Sequence, residues 1–147
     1  MTSTPVQIES RHDMSIIDID RLEDRLYDHN RRATGSDDGK GLAFVAIDAQ
    51  GTQIGAVAGY SWARMAEIKQ LWVDEAARDR GLGRSLLEAA VAEALVRGCQ
   101  SVWVMSYDFQ APNFYERLGF RREAELADWP PGHTQVILRR RLQEETA

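Results

Sequence analysis

Leu71-Trp-Val-Asp74-Glu-Ala-Ala-Arg78-Asp-Arg-Gly81-Leu-Gly83-Arg84 decides how the chain is read. Leu71, Trp72 and Val73 end a strand-like run that begins near Ala66. From Leu82 onward, Leu86, Leu87, Ala90, Val91, Ala94 and Leu95 recur at helical spacing, and Gly98 suits the left-handed position after a helix. A strand, a glycine-bearing loop and a helix therefore follow one another. A helix N-terminus in that setting presents unpaired N–H groups and the positive end of the helix dipole, which together attract anions. Gly81 and Gly83 lack the Cβ atoms that hold a phosphate off the backbone, and Arg78, Arg80 and Arg84 add cationic side chains. The same glycines would serve in a tight turn with no ligand. Two phosphate signatures fail on spacing. A P-loop needs glycine where Arg78 stands and lysine where Arg84 stands; a dinucleotide fingerprint needs a third glycine where Leu86 stands.

Upstream, Val6–Glu9 has the length for a short first strand, and a helix is expected from Ser15 to about Ala33, with Ile19, Leu22 and Leu26 on one face. Thr34-Gly-Ser-Asp-Asp-Gly39 breaks it. Leu42–Ile47 and Thr52–Tyr60 read as a β-hairpin around Asp48-Ala-Gln-Gly51, followed by a strand over Ala66–Val73. Downstream, Val102–Met105 is apolar on both faces, as in a buried strand beside a parallel neighbour. A short helix fits Ala111–Leu118, and strands are expected at Phe120–Leu126 and Thr134–Arg139. The expected order is β-α-β-β-β-α-β-α-β-β, an α/β (α+β) fold with a mixed sheet flanked by helices.

With 147 residues, 44% of them hydrophobic and 28% charged, the chain has the size of one domain, expected to span residues 1–147. A net charge of −5 supplies no basic footprint for nucleic acid, and Arg139-Arg140-Arg141 reads as a solvated strand end. An acidic balance favours cationic partners such as amines. No run reaches the length of a membrane span. The N-terminus has neither a basic nor an apolar leader region, and the lone Cys99 has no disulfide partner; both give the expectation of a cytoplasmic protein. His12 and His29 have no partner at ligand spacing, so no metal is expected. Cys99 is expected to pack as a small apolar residue.

Arg78-x-x-Gly81-x-Gly83, preceded by Leu71-x-Val73, resembles the signature of the GNAT superfamily of N-acetyltransferases. A second block, Ala111-Pro-Asn113-Phe-Tyr115-Glu-Arg-Leu-Gly-Phe120, resembles that superfamily's second segment and lies at its usual separation. With the element order, the resemblance covers nearly the whole chain. It implies transfer of an acyl group, acetyl first, from acetyl-CoA to the primary amine of a small molecule by direct attack through a tetrahedral intermediate. It implies that Leu71, Trp72 and Val73 run beside the pantetheine arm, with a backbone N–H near Leu71 as oxyanion donor. The amides of Arg78, Asp79, Arg80, Gly81, Leu82, Gly83 and Arg84 would hold the pyrophosphate, and Asn113 the cofactor arm. Tyr115 takes the place of the general acid; a phenol keeps its proton at neutral pH. Glu67, six residues before Val73, takes the place of a glutamate base, beside the plainer reading of a surface residue at the strand's start.

Trp62, Asp128, Trp129 and His133 are candidates for the acceptor site, and His133 is also a candidate base or a solvated loop residue. Trp72 and Trp103 are expected in the core. A homodimer fits the class. Protein or peptide acetylation, and a non-catalytic acyl-CoA sensor, are the alternative functions.

Overall fold

The computed structural model describes residues 4–142. It divides after Ser36 into two compact units. The first carries α1, Ile16–Thr34, whose start is capped by the Ser15 hydroxyl accepting the Asp18 N–H at 3.1 Å. Gly35 ends it in a left-handed conformation, its N–H donating to the Arg31 carbonyl at 2.8 Å. Residues 6–9, expected as a first strand, are irregular. Four residues with one Val and one Ile carry too little pattern to hold a strand without a neighbour's hydrogen bonds.

The second unit contains β1 (Lys40–Ile47), β2 (Gln53–Trp62), β3 (Met65–Val73), α2 (Leu82–Val96), β4 (Ser101–Tyr107), α3 (Pro112–Arg117), β5 (Arg121–Ala127) and β6 (Thr134–Arg141). These strands form a six-stranded sheet in the order β1-β2-β3-β4-β6-β5. Every neighbouring pair is antiparallel except β3 and β4, which α2 joins as a parallel crossover. The α/β class and mixed sheet expected above are therefore present. No helix of the described residues is long and apolar enough to cross a membrane.

α2 buries Leu86, Leu87, Ala90, Val91 and Ala94 against the sheet, where Leu42, Val57, Ala66, Ile68, Val102 and Val104 meet them. Leu95 departs from the expected face and is half exposed. Burying Leu86, Leu87 and Val91 contributes about 1.5–3 kcal/mol each, and Ala90 and Ala94 let the helix approach the sheet closely. The helix ends in a Schellman motif: the Cys99 N–H donates to Ala94 O at 2.9 Å and the Gly98 N–H to Leu95 O at 3.0 Å. Gly98 takes a φ of 80°, as its sequence position implied, and Cys99 is buried, where desolvation pushes its thiol pKa up.

Arg97 fastens this end of α2 to the sheet. Its guanidinium donates to Gly41 O at 2.9 Å, to the buried Ser61 Oγ at 3.0 Å and to Glu93 Oε1 at 3.2 Å. At the far edge, β5 is exposed along its length and carries Arg121, Arg122, Glu123 and Glu125, charges that discourage pairing with another chain.

Candidate active site

The site begins with a parting of two strands. β3 and β4 pair only from Met65↔Ser101 to Ile68↔Val104. Beyond Ile68, β3 stays with β2 as far as Val73↔Gly55, and β4 stays with β6 as far as Tyr107↔Gln135. The cause lies in a bulge. Ala58 opposes Gln70 while Gly59 opposes Ile68, so Lys69 is an extra residue in β3. A bulge bends its strand and strengthens the local twist. It also shifts the side-chain phase: Ala66 and Ile68 face the core before it, and Leu71 and Val73 pack on that core after it. Trp72 consequently points away and is 47% exposed, so the expectation of a core residue is corrected; Trp103 is partly buried. Gly59 permits the bulge, since a Cβ there would lie 1.8 Å from the Glu67 carbonyl oxygen.

A cavity of about 480 Å3 occupies the parting. Lys69, Gln70 and Leu71 line it from β3, and Val104, Met105 and Ser106 from β4. Phe109, Gln110, Ala111, Phe114 and Tyr115 close one side, and Arg78 reaches it from the loop before α2. On the β4 side of Lys69–Val73, backbone groups that a continuous sheet would pair are left for something else.

That loop leaves β3 through a single 3-10 turn at Glu75–Ala77 and then takes left-handed backbone at Asp79 (φ 64°) and Gly81 (φ 76°). The first bond of α2 runs from the Ser85 N–H to Gly81 O at 3.0 Å. The N–H groups of Leu82, Gly83 and Arg84 precede it, and among the described residues no side chain caps them. Gly83 sits against the second block: a Cβ there would lie 3.6 Å from Phe114 Cζ and 3.9 Å from Val73 Cγ2. The two sequence blocks therefore meet in space. Arg78 folds back, its Nε donating to Val73 O at 3.2 Å, while Asp79, Arg80 and Arg84 are exposed.

Tyr115 is buried to 7% exposure, with its ring edge-on to Phe114 (5.2 Å) and Phe120 (5.6 Å). The start of its helix is pinned by the buried Ser106 hydroxyl, which accepts the Ala111 N–H at 3.3 Å. Burial pushes the Tyr115 pKa up to about 12. A pKa raised in the folded state adds stability that is complete below the unfolded value of about 10 and is lost as pH rises through about 12. The rise from about 10 to about 12 corresponds to about 2–3 kcal/mol. Urea melts of the parent and Tyr115→Phe, compared at pH 8 and pH 11, should show the parent losing more stability by about 1.4 kcal/mol, half of that amount, because pH 11 lies midway between the unfolded and folded values.

The remaining candidates fall in three places. Glu67 is partly buried on the face opposite Ala66 and Ile68, paired with Tyr60 and Trp103, and does not line the cavity. Trp62 stands at the hairpin end of β2 opposite Met65, and Asn113 lies exposed on α3; neither lines the cavity. Asp128, Trp129 and His133 occupy the β5–β6 loop, where they join residues that sequence reading missed. Trp129 meets Tyr107 edge-on at 6.0 Å, and Tyr107 stacks on Phe109 at 5.2 Å. Phe109 meets His133 edge-on at 5.0 Å, and His133 Nδ1 lies 2.9 Å from Asp108 Oδ1. Lys69, Met105, Ser106, Asp108, Phe109 and Gln110 were all unassigned. Their one sequence signal is position, since they lie at or beyond the carboxyl ends of two adjacent parallel strands, where ligands collect.

Comparison with known proteins agrees with this fold. The model of the acetyltransferase (GNAT) family matches residues 9–120. The chain is 39% identical over 101 residues to the blasticidin-S acetyltransferase of Streptomyces morookaense, covering 68% of this chain and 74% of that protein. An acetyltransferase of Agrobacterium fabrum is 27% identical over 82% of this chain and 88% of its own. The crystal structure of an acetyltransferase from Bacillus cereus superposes with a TM-score of 0.78 at 28% identity, over 93% of this chain and 98% of that one. On the strength of a family match across most of its length and a relative this similar over two thirds of it, the chain belongs to the GNAT family of acetyltransferases.

Proposed function

We propose that the protein transfers an acetyl group from acetyl-CoA to the primary amine of a small molecule. The observation that carries this reading is the meeting of the parted β3–β4 edges and Tyr115 around one cavity, which Arg78 lines from the loop leading to the uncapped start of α2. Residue chemistry fits each part of such a donor. The uncapped amides of Leu82, Gly83 and Arg84, with Gly81 and the side chains of Arg78, Arg80 and Arg84, suit a pyrophosphate. The unpaired edge at Leu71, Trp72 and Val73 suits an extended amide-containing arm, and Asn113 on α3 is a further contact to it. The donor supplies a thioester whose carbonyl accepts the amine.

An outward N–H near Leu71 stabilises the developing oxyanion, a contribution of about 3–4 kcal/mol in comparable sites. Tyr115 protonates the departing sulfur. A phenol held at about 12 is not emptied by a thiolate alone, whose ordinary pKa is about 8.5. Its proton therefore moves as it is replaced by one from the attacking nitrogen, and no phenolate accumulates. Glu67 is one candidate base. Trp62, Asp128, Trp129 and His133 are the candidate acceptor contacts. A small amine is favoured by the blasticidin-S acetyltransferase relative and by the acidic aromatic loops beside the cavity. The buried free thiol of Cys99 suits the reducing cytoplasm, where we place the reaction.

Calorimetry with acetyl-CoA, followed by thiol release across polyamines, aminoglycosides, nucleoside amines, amino acids and N-terminal peptides, tests this. Micromolar acetyl-CoA binding and turnover confined to small amines is the expected result. Turnover confined to peptides would move the substrate class, and binding with no turnover would make the protein an acyl-CoA sensor.

A further inference from the structure

Beside the cavity, the β4–α3 loop and the β5–β6 loop bring an aspartate and a histidine together. We infer that His133, oriented by Asp108, takes the proton from the incoming ammonium group; this rests on the acyl-transfer reading above. Asp108 is fixed at both oxygens, with Oδ1 at 2.9 Å from His133 Nδ1 and Oδ2 accepting the Thr134 N–H at 3.0 Å. The Asp108 N–H in turn donates to Thr134 O at 2.9 Å, so the two loops are tied at their roots. An ionised carboxylate only accepts, which requires the neutral ring to carry its proton on Nδ1 and leaves a lone pair on Nε2. Among the described residues Nε2 has no hydrogen-bond partner.

Position and charge agree with that role. His133 and Asp108 do not themselves line the cavity; the His133 ring stands edge-on to Phe109, which lines it together with Tyr115. The ionisable side chains of the two loops are Asp108, Asp128 and His133, and neither loop contains Lys or Arg; the flanking strands carry Tyr107 on β4, Arg121, Arg122, Glu123 and Glu125 on β5 and Arg139, Arg140 and Arg141 on β6, and the cations lining the cavity are Lys69 and Arg78. A cationic amine is therefore drawn to this side, and the imidazolium formed there gains a carboxylate partner. Exposed faces of Phe109 and Trp129 add an aromatic surface for the cation to approach.

The proton count closes. His133 Nε2 takes one proton from R–NH3+, freeing the nitrogen lone pair, and the new C–N bond forms at the thioester carbon. The C–S bond then breaks, sulfur takes the Tyr115 proton, and the second surplus proton on nitrogen restores the phenol. His133 returns its proton to solvent.

The test compares the pH dependence of kcat/KM, read by thiol release at saturating acetyl-CoA, in the parent, His133→Gln, Asp108→Asn and Glu67→Gln. His133→Gln should lose about 100-fold at neutral pH, recover toward the parent as pH approaches the amine's own pKa, and lack the parent's acid limb. Asp108→Asn should displace that limb with a smaller loss. Acetyl-CoA affinity should be unchanged in His133→Gln, and nitrogen NMR of the free protein should find the neutral ring protonated on Nδ1. The inference is overturned if His133→Gln keeps the parent's limb, if Glu67→Gln is the variant that removes it, if the ring proton resides on Nε2, or if acetyl-CoA affinity falls in step with rate. A parent that binds acetyl-CoA and turns over no amine overturns the acyl-transfer reading, and this inference with it. An active parent with an insensitive His133→Gln overturns the inference alone.

Discussion

Replacing Tyr115 by Phe should lower kcat by about 100-fold or more, while acetyl-CoA affinity changes by less than about threefold. The substitution removes one oxygen from a ring that otherwise keeps its edge-on contacts with Phe114 and Phe120. Packing is thus preserved at neutral pH, and the deficit falls on the step in which sulfur leaves. A 100-fold loss corresponds to about 2.7 kcal/mol of transition-state stabilisation. The rate loss should be largest for the thioester and shrink for a donor whose leaving group needs no proton. Unchanged turnover with the natural thioester would remove Tyr115 from the chemistry and leave it as a core aromatic, which its burial alone would also explain.

Gly59→Ala should cost more than any other single methyl addition in the sheet. The added carbon would meet the Glu67 carbonyl oxygen at 1.8 Å and its carbonyl carbon at 2.9 Å, both backbone atoms with no rotamer to yield. Relief requires β2 and β3 to separate or the bulge to slide. Sliding by one residue would turn Leu71 and Val73 out of the core and bring Trp72 and Gln70 toward it. The expected result is a loss above about 3 kcal/mol, seen as a fall in Tm of at least about 10 °C or as insoluble protein. Gly55→Ala is the useful comparison. There the nearest atoms are Leu86 Cδ1 at 3.0 Å and Trp72 O at 3.1 Å, so part of the contact is with a flexible side chain and the cost should be smaller. Any Gly59→Ala protein that folds should also bind acetyl-CoA more weakly, because the bulge sets the parting of β3 from β4. Equal stability and affinity in parent and variant would show that the bulge is not what holds the cavity open.

Much of the architecture was legible from local pattern. The α2 face apart from Leu95, the Gly98 stop, the β1–β2 hairpin and the doubly apolar β4 each depend on periodicity within about 15 residues, and each is where the sequence placed it. The expected strand that does not form at residues 6–9 and the misplaced Trp72 have a different origin. A strand needs a neighbour to hold it, and a side chain's face depends on register; neither is written in four or five residues. The bulge did leave a trace, because apolar positions step from Ala66 and Ile68 to Leu71 and Val73 with one residue too many between them. Such a break in alternation is the cheapest sign of a bend in a strand.

The site divides in the same way. The loop that opens the reading, Leu71–Arg84, determined by itself that a helix with bare N–H groups would follow a strand, since two glycines and the Leu82–Leu95 periodicity require nothing distant. With the second block, it also determined the family. Only the tertiary structure brought Phe114 onto Gly83, parted β3 from β4 beyond Ile68, and set Asp108 beside His133 across 25 residues of chain. Glycine spacing and helical period are properties of neighbouring residues. Cavities and ion pairs between loops arise where separate strands end together, and that meeting is fixed by sheet order and register.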